Sequence, residues 1–379
     1  MNTRTPYYQV KIGDENVSKT GEDITSWVTA VSLTEDDRQA DNVSITIGDP
    51  RMIYADALFE GSWVEVDIGY IEASQHALML RALITKVEMS CPENGSPTLT
   101  LKGEDRSILM GLKEENKRWR DMKVTDIVKH IAGNHGFKRV EAHLDNDPMI
   151  ASKPIHQDGK TDLAFLQDTA KKYHAKCFVE LDEQGVEILY FIPERRIVRL
   201  RRPEKLVLRY RMGANSNLIS FSPTFDSSYI DRLKELADID GQGKKIQNQE
   251  KEQTEIALWV LDPARVAQAN PRDQVKIRKL YEQGVAQKLL LQAKLRARRK
   301  TVGEVSPDQA EMEAVNDLLE ALHLGMSGSG TTFGNIWLRA KSHVFIDGVS
   351  ERFKGEWYVS SVTHKVDSSG YKTDFKCVR

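Results

Sequence analysis

Three histidines, His130, His135 and His143, lie close together in the sequence, and clustered imidazoles are the side chains that most readily hold a transition metal. Their spacings match neither H-x-x-x-H nor HExxH, the patterns that place two ligands on one helix face, so no metal site is expected. A serine nucleophile needs a strained turn such as G-x-S-x-G. The nearest match, GMSGSG at Gly325 to Gly330, reads as a flexible glycine-serine turn between a helix and a strand. Asp36, Asp37 and Asp41 are close enough to suggest paired carboxylates, but they sit in a polar run where solvated charges need no partner. Cys91, Cys177 and Cys377 are widely scattered, lack C-x-x-C spacing and suggest neither a disulfide framework nor zinc. No catalytic, cofactor-binding or metal-ligating residue is assigned, and the chain reads as a non-enzyme that needs no cofactor.

One segment is chemically asymmetric. Between Glu194 and Arg211 stand Arg195, Arg196, Arg199, Arg201, Arg202, Lys205, Arg209 and Arg211 against only Glu194 and Glu204. Two readings weigh equally: water-facing arginines on a strand whose Ile197, Val198, Leu200, Leu206 and Leu208 supply core, or a surface for an acidic protein partner. Contact with DNA ranks third, because 54 basic and 56 acidic residues leave a formal net charge of -2 and no global attraction for a polyanion.

The elements that would position these residues are mostly strands. From Tyr7 to about Gly103 short alternating runs are punctuated by turn residues: YYQVKIG, ITSWVTAVSL, NVSITIG, SWVEVDIGY, LMLRALITKVEMS and PTLTLKGED. Val43, Ile45 and Ile47 point one way and Ser44 and Thr46 the other, so one face is buried and one is wet. Six such strands predict a small antiparallel barrel or sandwich over residues 1–108. Residues 109–192 follow as an α+β module. Its first helix carries Ile127, Val128 and Ile131, capped by Thr125 or Asp121 and ended by Gly133 or Gly136. A second helix carries Leu163, Leu166 and Ala170, and the hairpin AKCFVEL-DEQG-VEILYFI completes the module.

Strand pattern resumes at 193–229 and again at 331–379, as NIWLRAKSHVFIDG, EWYVSSVTHKV and GYKTDFKCVR, which predicts a second barrel. Between its parts lies a charged helical insertion, 230–330. In it GQGKKIQNQEKEQ reads as linker, one helix starts at the cap Asn270 with Pro271 and Asp273, and another starts at the Ser306 capping box and runs to Gly325. The first of these ends in Leu289, Leu290, Leu291, Ala293 and Leu295, suited either to core or to docking on a neighbouring copy. The fold class is therefore α+β, mainly β: two antiparallel barrels, an α+β module between them and a helical insertion in the second. The start, MNTRTPYYQVKIGDEN, lacks the apolar stretch of a signal peptide, and no window reaches the roughly 20 apolar residues of a membrane span.

Taken in order, SWVTAVSLTEDDRQADNVSITIGD with EGSWVEVDIGY, VTDIVKHIAGNHGF, TDLAFLQDTAKKYHAKCFVE and FKGEWYVSSVTHKVDSSGYKTDFKCVR resemble the late control protein D family. These are baseplate hub proteins of contractile phage tails and contractile injection systems, related to the hub part of type VI spike proteins. The resemblance covers most of the chain except the insertion. It implies a homotrimer whose six barrels form a pseudo-six-fold ring between a six-fold tail tube and a three-fold spike. It also implies assembly in the bacterial cytoplasm into a virion or particle tail, with a spike protein below and a tube or tube-initiator protein above. Wedge and tape-measure proteins are further expected neighbours; membrane anchoring is not expected, and nucleic acid is met only in transit. The expected contact residues are Val43, Ile45 and Ile47 on the first barrel, Trp357 and Val359 after Asn335, and Arg195, Arg196, Arg199, Arg201 and Arg202. Rival readings are a hidden peptidoglycan hydrolase or a cell-wall-binding tail component.

Overall fold

The structure is a computed structural model. It describes residues 4–226 apart from 73–74, 145–146, 148, 151–153, 174, 183, 194–195 and 198–205, and beyond them 235–239, 245–246, 261–294, 299–302 and 325–379.

The six alternating runs near the start form β1 (Pro6–Gly13), β2 (Val28–Asp36), β3 (Asn42–Gly48), β4 (Trp63–Tyr70), β5 (Gln75–Ser90) and β6 (Thr98–Glu104). They pair antiparallel in the order β2-β3-β6-β5-β4-β1. The two ends of this path approach each other: Ile24 N–H donates to the Val10 carbonyl at 3.0 Å and the Tyr8 hydroxyl to the Val28 carbonyl at 2.9 Å. Alternation then puts Val31, Leu33, Val43, Ile45, Ile47, Val64, Val66, Leu99 and Leu101 into one buried cluster.

The middle module holds β7 (Glu114–Trp119), α1 (Val124–Asn134), β8 (Arg139–Ala142), β9 (Ile155–Thr161), α2 (Asp162–Lys172), β10 (Ala175–Leu181) and β11 (Glu187–Pro193). Both helices pack their apolar stripes, Ile127, Val128 and Ile131 on α1 and Phe165, Leu166 and Ala170 on α2, into a second cluster with Leu189 and Phe191. The cap of α2 is local, Thr161 Oγ1 accepting from Ala164 N–H at 3.2 Å. That of α1 is not: Asp147, far along the chain, accepts from the Thr125 hydroxyl at 2.6 Å and from its N–H at 3.3 Å. Thr125 is therefore held by a cap and does not act as one.

A second six-stranded set follows: β12 (Leu206–Arg209), β13 (Leu218–Phe225) and, after the insertion, β17 (Met326–Phe333), β18 (Ser342–Asp347), β19 (Gly355–Asp367) and β20 (Gly370–Val378). The insertion contributes β14 (Glu235–Ile239), β15 (Lys245–Ile246), α3 (Pro271–Lys294) and β16 (Arg299–Val302). Its helix starts as expected, with Asn270 Oδ1 accepting from Asp273 N–H at 3.0 Å. Its three strands pair with one another, so the insertion is not purely helical, and Lys245–Ile246 within the expected linker is strand. The helix expected from Ser306 lies outside the described residues.

Two further expectations change. The run from Glu194 to Arg211 is not one strand: Arg196 and Ile197 are helical, and the next described residues, Leu206–Arg209, are strand. The glycine-serine stretch is not a turn either, since Met326–Phe333 pairs with β13 and β20 along its length. Glycine serves there to make room. A Cβ on Gly328 would lie 2.9 Å from the Phe221 ring, and one on Gly330 2.6 Å from the Phe375 ring.

The two sheets are copies of one plan. The second runs β13-β17-β20-β19-β18-β12, which strand for strand is the order of the first. The register shift in β2 between Val28 and Ala30 recurs in β13 between Leu218 and Ser220, and that in β5 between Ile84 and Lys86 recurs in β19 between Val359 and Ser361. The pairings then equate Val31 with Phe221, Val43 with Gly328, Leu101 with Phe375 and Met89 with His364. The copies differ in three places: β1 joins β4 antiparallel whereas β12 joins β18 parallel, the β4–β5 pairing has a register shift between Val66 and Asp67 that the β18–β19 pairing lacks, and Glu22–Asp23 adds a short strand to β1.

Volume is traded between equivalent positions. Val31 and Val43 of the first sheet become Phe221 and Gly328 in the second. Gly328→Val alone should overpack the second core and lower stability by about 1–3 kcal/mol. Adding Phe221→Val, which reproduces the pair used in the first sheet, should recover part of that loss in a thermal-unfolding double-mutant cycle.

Candidate assembly interface

Two sheets of one plan must meet somewhere, and they meet edge to edge. The second half of β19, Ser361 to Val366, pairs antiparallel with β2 from Asp36 to Val31. The first half of β19 pairs with β18, and after the register shift at Val359 the same edge pairs with β2 while the other edge stays on β20. Across the joint the Thr34 and Thr363 hydroxyl oxygens lie 3.1 Å apart. Tyr371 of the second sheet enters the core of the first, its ring 5.3 Å from that of Tyr70.

Beside this ladder lies a buried ionic cluster drawn from all three parts of the chain. Lys341, 0 % exposed, donates to Asp41 at 3.2 Å and to Glu180 of β10 at 3.3 Å. Arg339 pairs with Glu35 of β2 and, at 3.4 Å, with Glu180. Glu35 also accepts from the Ala340 N–H at 3.0 Å. Asp105 accepts from Asp41 N–H and from Ser107 N–H, both at 2.7 Å. Burial first, and then the negative charge of Asp41, raise the Asp105 carboxyl above its usual range. Each cation bridges two carboxylates from different parts, so separating the parts strands charges in a dry site.

Lys341 shows how strongly the joint selects its residues. Its N–H donates to the Val359 carbonyl at 2.8 Å, as the N–H of its counterpart Gly61 does to Ile84 at 2.8 Å. Both sit in left-handed backbone, φ 61° for Lys341 and 89° for Gly61. Glycine takes that conformation without penalty and a lysine does not. That backbone carries the 341 side chain to Asp41 and Glu180.

The aspartates read as solvated are largely the opposite. Asp41 and Asp37 are buried; Lys176 of β10 meets Asp37 at 2.8 Å and the Tyr358 hydroxyl donates to it at 3.3 Å. The sequence reading missed this because the partners lie on other parts of the chain. A legible hint was the lysine inside the apolar run NIWLRAKSHVFI.

The other expected residues separate. Val43, Ile45 and Ile47 lie in β3, paired on both sides, and fill the first core. Trp357 and Val359 fill the second. All five are packed against their own chain and their side chains present no surface to a partner. Arg196 is exposed, and Arg195, Arg199, Arg201 and Arg202 lie outside the described residues. The histidines do not converge: His130 meets the Trp119 ring edge-on, His135 lies 2.8 Å from Asp162, and His143 lies 3.4 Å from Glu141. Among the described residues no group of three or more His, Cys, Asp or Glu is placed to hold a metal, and no helix is long and apolar enough to cross a membrane.

Solved structures share this fold. A tail protein from Neisseria meningitidis MC58 superposes with a TM-score of 0.65 at 14 % identity, covering 98 % of this chain and 96 % of that one. A 43 kDa tail protein of prophage MuSo2 from Shewanella oneidensis gives 0.62 at 12 % identity, covering 98 % of each chain. An E. coli component of the type VI secretion system, described as structurally similar to T4 bacteriophage tail proteins, gives 0.56 at 12 % identity over 93 % of this chain and 73 % of its own. No family model matches the chain, and no curated protein matches it in sequence. At these identities the likeness is one of fold.

Two outcomes test the joint. Lys341→Met leaves Asp41 and Glu180 buried without their shared cation, and should cost about 3–5 kcal/mol in chemical denaturation; adding Glu180→Gln should return part of it. His364, buried against Tyr371 at 2.8 Å, has its pKa lowered to about 4, by burial foremost. A lowered pKa means the neutral ring is favoured on folding. Its stabilisation is then complete above the ordinary histidine value near 6.5 and is lost as pH falls towards 4, by about 3 kcal/mol in all. His364→Leu should flatten the fall in melting temperature across that window.

Proposed function

We propose that this chain is a structural subunit of the baseplate of a contractile tail or contractile injection machine, in which three copies form a ring of six sheet units. The observation that carries this reading is the duplicated sheet: one strand order, with two register shifts at equivalent positions, occurs twice in one chain and is joined edge to edge. A subunit built so can present six near-equivalent surfaces while repeating only three times, which is what a part between a six-fold tube and a three-fold spike requires.

The fold shared with phage tail proteins and a type VI secretion component supports the setting. The residue resemblance to the late control protein D family points the same way. In this reading the two sheets face the tail tube or its initiator. The middle module, present once per chain and so three times per ring, faces the spike. The work is done by shape, symmetry and buried charge with no covalent step, and the protein acts in the tail of an assembled particle.

Native mass and symmetry test the proposal. A trimer in solution or in isolated particles, with six similar lobes by electron microscopy, is the expected result. A chain that stays monomeric and never enters a tail overturns it.

A further inference from the structure

Among the described strands, the joint inside the chain has two matching edges with no partner strand. At the joint, β2 of the first sheet pairs with the distal half of β19 of the second. The counterparts of these two strands are β13 and the distal half of β5. Along Phe221–Phe225, β13 ladders with β17 on one side and with no described strand on the other, its only further pairing being the bridge of Leu218 to Tyr210, and β5 beyond Ile84 ladders only with β6. Both carry an exposed large apolar side chain, Ile219 at 41 % and Met89 at 41 %, beside strands that are otherwise polar at the surface.

From this we infer that β13 of one copy pairs antiparallel with Lys86–Ser90 of β5 in the next copy, in the register that the chain already uses between β2 and β19. The inference rests on the trimeric reading and adds the strands and residues that close the ring. Transferring the register places Lys86 opposite Asp226, Val87 opposite Phe225, Glu88 opposite Thr224, Met89 opposite Pro223 and Ser90 opposite Ser222. Lys86, which pairs with Glu88 within the chain, would face an aspartate, Met89 would face Pro223, and Val87 would face Phe225, whose ring lies against Arg352 and Lys288; opposite charges and apolar pairs favour an antiparallel ladder. Pro223 occupies the place of Leu33. A proline survives in a strand when its nitrogen faces away from the existing ladder, which is where an incoming edge would lie, so it withholds one donor and discourages unspecific pairing.

The direction of the joint also repeats. Within the chain, the second strand of one sheet meets the fifth strand of the following sheet. Between copies the same two strand types meet in the same sense, a head-to-tail contact that closes into a ring and needs no second kind of interface. The occupant of each edge is thus a second copy of this chain, chosen by equivalence with an interface already present.

Disulfide trapping tests this in the full-length chain carrying Cys91→Ser, which removes an exposed native thiol near the edge. Thr34 and Thr363 face each other at the internal joint; their counterparts are Thr224 and Glu88. Residues directly opposite at such a position lie about 4.5–5.5 Å apart between Cα atoms, within disulfide range. Thr34→Cys with Thr363→Cys serves as the internal control and should form a bond without changing mass. Glu88→Cys with Thr224→Cys should give covalent dimers and trimers under mild oxidation, about tenfold faster than Glu88→Cys with Ser222→Cys, which is two residues out of register. Mixing a tagged Glu88→Cys chain with an untagged Thr224→Cys chain should link the two, which makes the bond intermolecular. A native trimer in which the 88–224 pair links no faster than the 88–222 pair overturns this edge contact and leaves the trimeric reading standing. A chain that is monomeric in solution and in particles overturns both.

Discussion

A lysine with no access to solvent holds this molecule together. Lys341 lies where two sheets and an α+β module converge, and the carboxylates it binds, Asp41 and Glu180, come from the two parts to which it does not belong. A buried cation of this kind contributes little net stability when every partner is in place and costs several kcal/mol when one is removed. Its effect is therefore on arrangement more than on stability, penalising any placement of the three parts other than this one. That constraint explains the strained backbone at residue 341, where the counterpart in the first sheet is glycine. Arg339, bridging Glu35 and Glu180, doubles the same constraint a turn of chain away.

Around that cluster the chain is economical. One six-stranded plan is used twice, and the differences between the copies follow from what each must contact. In the second sheet small residues in β17 make room for Phe221 and Phe375, whereas the first sheet fills the same space with valine, isoleucine and leucine. His364 is buried because β2 covers its strand, while its counterpart Met89 is exposed because no described strand covers it. Among the described strands, the edges without a partner match in order and direction the edges that are closed. A rigid joint in each copy fixes the angle that a joint between copies would have to repeat.

Much of the local structure was legible from residue types. Period-two runs located the six long strands of the first sheet, and period-3.6 stripes located both helices of the module, because those patterns report burial on one face. Asn270 and Pro271 likewise marked the start of the insertion's helix. The failures have a common cause. GMSGSG looked like a turn because glycine and serine usually mark one; here aromatic rings from β13 and β20 occupy the space their side chains would need. Asp37 and Asp41 looked solvated because their partners, Lys176 and Lys341, are more than a hundred positions away. Val43, Ile45, Ile47, Trp357 and Val359 stood out as apolar strand residues, and that property made them core.

By itself the sequence determined most of the strands and helices outside the insertion, and that the chain is mainly β. Those properties depend on near neighbours and on the periodicity of side chains along one element. Only the tertiary structure decided that the two strand-rich regions share one plan, that they join through β2 and β19, and that a single lysine locks three parts together. Register, edge pairing and buried charge depend on residues far apart in the chain. No window of sequence contains both partners of such a contact, so folding alone brings them onto one surface.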